Sequence, residues 1–230
     1  MSEGRLAGKT VIVTGGAGIL GHSVATVAKS EGAHVVLFDV VEDFSSDLTT
    51  NGAQYLQVDL TDDQAVAQAI AVVGSFDVVA NIAGGFDMGP TVFETTDEQW
   101  DAMQIINVTT LRTVLRHAVP VLQQRGAGSI VNVGALGALR GAGNMGAYTA
   151  AKSTVMRLTE ALSDELRHQS INVNAVLPSL IDTPRNRADM PDADHGQWVS
   201  PEDLANVICF LASDEASAVH GALIPVTGLV

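Results

Sequence analysis

Short apolar runs alternate with helical periodicities along the whole chain, the pattern of a parallel sheet covered on both faces. The runs predict strands at TVIVTG (10–15), HVVLFD (34–39), QYLQVD (54–59), FDVVANIAG (76–84), SIVNVGA (129–135), NVNAVLP (172–178) and GALIPVTG (221–228). Between them, helical spacing predicts helices over about 19–30, 61–73, 97–124, 148–169 and 200–213. The second of these has an acidic first turn, Pro120 is expected to kink the end of the third, and Ser200 and Pro201 are a cap and first-turn pair for the last. The stretch after Asp39 is too short and polar for a full helix, so the second crossover should be slim. Residues 179–199 carry no clear element, and a loop of that length is expected to serve as a lid or binding loop.

Seven strands and their crossovers fill the 230 residues in one pass, with no linker, repeat or low-complexity tract. The expected fold is α/β: a single-domain, Rossmann-type doubly wound sheet of about seven parallel strands, with helices on both faces, over residues 1–230. The chain carries 26 acidic and 12 basic residues, a net charge of −14, which argues against a nucleic-acid backbone or an anionic membrane as partner. An anionic ligand must then be held by local donors. The single cysteine, Cys209, cannot form an internal disulfide and reads as a buried thiol in an apolar helix. No secretory-type leader and no uninterrupted membrane-length apolar run occur, so a cytoplasmic protein is expected.

Three segments carry candidate chemistry. The turn Thr14-Gly15-Gly16-Ala17-Gly18-Ile19-Leu20-Gly21 closes the first strand and opens a helix, where backbone amides can cradle a pyrophosphate. Asp39, at the end of the second strand, can accept both hydroxyls of an adenosine ribose and would repel a 2′-phosphate, which favours NAD without excluding NADP. Tyr148 and Lys152, one of two tyrosines and one of three lysines, lie four apart on one helix face. An ammonium beside a phenol is expected to lower the phenol pKa towards the range of a working acid or base. The histidines have no carboxylate or cysteine partners at ligand spacing, so no catalytic metal is expected.

With these segments the sequence resembles the short-chain dehydrogenase/reductases over essentially its whole length. The resemblance rests on Thr14-Gly15 with Gly21, Asp39, Asp59-Leu60, Asn81-Ile82-Ala83-Gly84, Asn107, Tyr148-x-x-x-Lys152, and Pro178 with Thr183. It implies that Asp59 and Leu60 flank the adenine, that Asn81, Ala83 and Gly84 line the cofactor cleft, and that Thr183 reaches the pyrophosphate or carboxamide side. It also implies that Lys152 binds the nicotinamide ribose and that Asn107 holds a water in a proton relay ending at the catalytic Tyr148. Two departures stand out. Ala135 occupies the position of the family's serine, which removes a hydrogen-bond donor to a substrate carbonyl. Ile19 stands where the family has glycine or alanine and crowds the dinucleotide approach.

The dihydropteridine reductase branch lacks that serine. It is similar to this sequence in the glycine turn, in Ala83-Gly84-Gly85, in Gly134-Ala135 and in the segment from Asp182 to Trp198. That similarity implies hydride transfer to a quinonoid dihydropterin, with Ala135, Tyr148 and Trp198 against the substrate. Redox of another carbonyl, alcohol, imine or quinone-like compound is the alternative, as is dinucleotide binding with little catalysis. Arg185, Arg187 and His195 are further candidates for ligand contact. Apolar positions on the helices at 97–124 and 148–168, together with the family resemblance, imply a homodimer or homotetramer.

Overall fold

The computed structural model describes residues 4–42, 44 and 47–230. Seven parallel strands form one sheet in the order β3-β2-β1-β4-β5-β6-β7: β1 Thr10–Thr14, β2 His34–Asp39, β3 Gln54–Gln57, β4 Val78–Asn81, β5 Gly128–Val133, β6 Ile171–Pro178 and β7 Leu223–Val226. The expected seven-stranded, doubly wound architecture is present. Strand order reverses between β1 and β4, which pair in register from Val11 opposite Val78 to Thr14 opposite Asn81, so a crevice opens beyond their carboxyl ends.

The helices are α1 Ile19–Ser30, α2 Asp47–Thr50, α3 Asp63–Val73, α4 Asp97–Gln104, α5 Thr110–Arg125, α6 Gly146–Leu166, α7 Pro184–Asp189 and α8 Pro201–Ala212. One core lies under α1 and α8, built on Val11, Val13, Leu37 and Leu204. The other lies under α3 and α5, built on Ile12, Phe38, Val114 and Ile130. In the second crossover, expected to be slim, the described residues contain the single turn α2, while Asp43, Ser45 and Ser46 lie outside the described residues.

The structure corrects three expectations. The long helix expected over 97–124 is broken at a wide turn, Ile105–Thr109, where the Thr110 amide reaches the Ile105 carbonyl five residues back. Pro120 lies inside the intact α5 and is exposed, so it marks no break. The segment 179–199, expected as a loop, contains α7: the Thr183 side chain accepts from the Asn186 amide and Pro184 takes the first helical position. The apolar positions offered as an assembly face are partly core, since Leu111, Val114, Val155 and Leu166 are buried within the chain.

A buried polar ladder ties the sheet to α6. Asn81 Nδ2 donates to Asn132 Oδ1 at 2.9 Å, and Asn132 Nδ2 donates to Thr159 Oγ1 at 2.9 Å. Both Asn132 and Thr159 are fully buried, and Thr159 Oγ1, which itself donates to the Val155 carbonyl, is the acceptor that satisfies Asn132 Nδ2. Thr159→Val should therefore lower unfolding stability by about 1–3 kcal/mol by leaving the Asn132 amide unpaired, and Thr159→Ser should restore most of it. Urea denaturation of the two variants checks this.

Candidate functional site

The glycine turn is shaped by close backbone approach. A Cβ on Gly21 would lie 2.0 Å from the Gly15 carbonyl oxygen, and Gly15 has φ +66° with its Cα side against Ala83. Helix α1 starts after Gly18 with no side-chain cap, which leaves its first amides available to an anion. Ile19 is the first residue of α1 and is half exposed, Leu20 packs towards the core, and Gly21 is buried. Asp39 ends β2 beside this turn: its Oδ2 accepts from the Ala17 amide at 2.9 Å and its Oδ1 from the Val40 amide at 2.8 Å. The turn and the carboxylate thus form one unit. An uncapped helix start, a glycine-rich turn and an adjacent carboxylate fit a dinucleotide, with the half-exposed Ile19 side chain at the mouth of the turn.

Thr14, expected at the cofactor, has a structural part in this turn. Its buried Oγ1 accepts from the amides of Ile82 at 3.0 Å and Ala83 at 3.1 Å, stitching the ends of β1 and β4 together. Asn81, also buried, donates into the polar ladder while its Oδ1 has no partner. Asp59 accepts from the Thr61 amide and hydroxyl, which hold its carboxyl below the usual range, and Leu60 is buried in the second core.

The wide turn at Ile105–Thr109 places Asn107 at the floor of the crevice. Its Oδ1 accepts from the Gly85 amide and its Nδ2 donates to the Gly85 and Met103 carbonyls, all at 3.1 Å. Lys152 reaches the same place from α6. A Cβ on Gly84 would lie 2.8 Å from Asn107 Oδ1 and 3.1 Å from Lys152 Nζ, so only glycine lets the two side chains meet there. The Lys152 ammonium donates to the Val133 carbonyl at 2.9 Å.

Tyr148 stands one turn before Lys152 and packs edge-on against Phe86, with ring centroids 4.9 Å apart. Burial pushes its phenol up to about 12, and burial pushes Lys152 down to about 8. The expected lowering of the tyrosine by its lysine is therefore corrected: loss of hydration under Phe86 and the cleft wall dominates in this state. The phenol remains protonated across the neutral range, as a proton donor requires. Ala135 is buried in an apolar cluster with Ala138, Met156 and Leu177, against which Tyr148 packs.

The residues after β6 are engaged with one another. Pro178 ends the buried β6 opposite Val226, and Thr183 caps α7. Arg187 is held by both oxygens of Asp182 at 2.5 and 2.7 Å, and exposed Arg185 faces Asp189 at 3.8 Å. His195 bonds the Met190 carbonyl and its ring packs at a tilt against Trp198, which is buried. The motif running from Asp182 to Trp198 thus has a local structural account in capping, ion pairing and packing. Phe86, Val133 and Asn144 were missed from sequence. Only Asn144 carried a local signal, as asparagine is tolerated at its φ of +61° between glycines.

A family model described as "Enoyl-(Acyl carrier protein) reductase" matches residues 15–228. Among curated proteins, "Short chain dehydrogenase adrF" of Penicillium rubens is 33% identical over 94% of each chain. The chain belongs to the short-chain dehydrogenase/reductase family. The carveol dehydrogenase of Mycobacterium avium, solved with NAD, is 29% identical with a TM-score of 0.86 over 98% of both chains. An Agrobacterium tumefaciens protein with bound NADP is 31% identical with a TM-score of 0.89 over 97% and 96%. As a short-chain dehydrogenase/reductase, the protein is an NAD(P)-dependent oxidoreductase acting on a small molecule. Among the described residues no helix is long and apolar enough to cross a membrane.

The buried ammonium sets a pH dependence. Because the Lys152 value lies at about 8, the cation is lost as pH rises through that value, and kcat/KM for reduction should fall on its alkaline side. Lys152→Arg, which stays charged, should retain part of the activity and lose that alkaline limb. A pH profile of both enzymes between 6 and 10 on the order of half-unit steps checks this.

Proposed function

We propose that the protein transfers hydride between NAD(H) and a cyclic substrate whose reacting carbon is already electrophilic, with Tyr148 as proton donor. The carrying observation is the pairing of a protonated, buried Tyr148 with the apolar Ala135 wall. In the family the position of Ala135 supplies a hydroxyl to polarise a carbonyl, and here none is offered. A substrate activated by its own conjugation or by an adjacent carbonyl has no need of it. The likeness to a dehydrogenase named for a cyclic alcohol, carveol, supports a ring compound.

In this reading the α1 amides and the turn from Gly15 to Gly21 hold the pyrophosphate. Asp39 takes the adenosine ribose, exchanging its bond to the Ala17 amide for the ribose hydroxyls. Asp59, Asn81, Ala83, Gly84, Pro178 and Thr183 border the cofactor by family resemblance, and Lys152 takes the nicotinamide ribose. The bound dihydronicotinamide supplies the hydride. Tyr148 gives its proton to the substrate heteroatom that becomes negative. Lys152, fixed by the Val133 carbonyl, stabilises the resulting phenolate, and Asn107 beside it holds the path by which the proton is restored. Trp198, being buried, would touch substrate only if α7 and its neighbours moved.

Reduction of a quinonoid dihydropterin is the second reading, favoured by the same Ala135, since a conjugated imine accepts hydride without a serine. Exposed Trp100 and Ile105 on and beside α4 support assembly with further copies of the chain, as the family resemblance implies.

Three outcomes test the proposal. NADH should give at least tenfold higher kcat/KM than NADPH, on the order of a repelled phosphate at Asp39, and equal values would contradict it. Tyr148→Phe should lower kcat by about 10²-fold or more with little change in NADH affinity. Ala135→Ser should raise turnover of an unactivated ketone by on the order of 10²-fold. Stopped-time NADH oxidation over quinonoid dihydropterin, a diketone and a simple ketone reads the last two.

A further inference from the structure

Among the described residues, seven of the fourteen exposed large apolar side chains fall between Phe86 and Ile106, of which Trp100 and Ile105 belong to the face proposed for assembly, and a further one is Leu139. Exposed apolar side chains gathered in one place mark a binding surface. Five of these lie on the chain segments around Tyr148, three of them in contact with its ring or with glycines of those segments. Phe86 lies edge-on against the Tyr148 ring. Ile106 is 3.4 Å from where a Cβ on Gly85 would lie, and Val92 is 2.6 Å from where one on Gly146, two residues before Tyr148, would lie. Met88 follows Phe86 in the same loop, and Leu139 ends the short helical turn that begins after Ala135. The last two are 63% and 57% exposed.

The rim is held in place. The Gly89 amide donates to the Asn144 carbonyl at 2.9 Å, and Asn144 Nδ2 donates back to the Gly89 carbonyl at 3.3 Å. These bonds join the loop after β4 to the segment entering α6 and hold Asn144 at its positive φ. Below the rim the wall stays apolar, with Ala135, Ala138, Met156 and Leu177 buried beside Leu136 and Leu223. The charged residues of these two segments are Asp87, Glu94 and Arg140, a net negative charge that gives no attraction for an anionic ligand.

We propose that this apolar rim selects a neutral, lipophilic cyclic dicarbonyl or conjugated carbonyl compound, in preference to a polar heterocycle or a charged acyl or sugar acid. The inference rests on the reading of Tyr148 as proton donor to an already electrophilic substrate. The carbonyl carbon of such a compound gains a hydride, its π pair moves to oxygen, and that oxygen takes the Tyr148 proton. A 1,2-diketone becomes a hydroxyketone while NADH becomes NAD⁺, and solvent returns one proton to Tyr148.

The test compares camphorquinone with 6,7-dimethyl quinonoid dihydropterin as acceptors, using wild type and the exposed-site variants Met88→Glu and Leu139→Glu. Camphorquinone should have the higher kcat/KM. Each variant should raise its KM by about tenfold while kcat and the Kd for NADH stay within about twofold. A higher kcat/KM for the pterin, or an unaltered camphorquinone KM in both variants, would overturn the inference. If no acceptor is reduced, calorimetric binding of camphorquinone to the NAD⁺-loaded protein decides it separately from the proposed reaction. Binding weakened about tenfold in the variants supports the apolar rim, and absence of binding to wild type overturns it.

Discussion

A lysine ammonium held away from water requires compensation, and Lys152 receives it from the carbonyl at the end of β5. That one contact constrains much of the crevice. Helix α6 must lie close enough on β5 for the ammonium to reach Val133, and the ladder from Asn132 to Thr159 holds the helix there two turns further on. Gly84 must lack a side chain, because Asn107 and Lys152 occupy the space a Cβ would take. The chain must also bend from α4 into α5 at Asn107, which the wide turn at 105–109 achieves. Tyr148 is then carried one turn away from a fixed cation.

The acidic character of the chain acquires meaning at the opposite side of the crevice. A net charge of −14 gives no general attraction for a dinucleotide, so in the proposed reading its phosphates would depend on oriented backbone amides at the start of α1. The stitch from Thr14 to the amides of Ile82 and Ala83 keeps β1 and β4 aligned, so that the glycine turn and the floor around Gly84 face one crevice. Asp39 does double service in this arrangement. It tightens the turn through Ala17, and the same carboxylate is placed where a ribose would be met.

Much of this fold was legible because parallel strands buried on both faces read as continuous apolar runs, and β1, β2, β5 and β6 fall within or almost within their expected limits. The glycine turn, Asp39 and the Tyr148/Lys152 pair were legible too, from strand ends and helix spacing, whereas Asn107 entered only through the family resemblance. Helix α7 was not, because its hydrophobic face is too short to show periodicity and its only marks are a threonine cap and a proline. The long helix over 97–124 was read as continuous with a kink at Pro120 near its end, yet that residue lies exposed within the intact α5. The break instead follows the tertiary bonding of Asn107 to Gly85, which no local pattern encodes. Spacing likewise placed Tyr148 beside Lys152 but could not reveal that Phe86 and the Ala135 wall would bury the phenol and raise its pKa.

In the proposed reading the chemistry turns on a protonated tyrosine, a buried cation and a wall without a second donor, arranged at the crevice where the strand order reverses. Transfer of isotope from C4-deuterated NADH to camphorquinone, followed by mass spectrometry of the hydroxyketone, examines this most directly. The account predicts one deuterium on the newly formed carbinol carbon in the wild-type reaction, with formation of labelled product nearly abolished by Tyr148→Phe. A hydroxyketone without deuterium, or labelled product formed equally fast by the Tyr148→Phe variant, would contradict it.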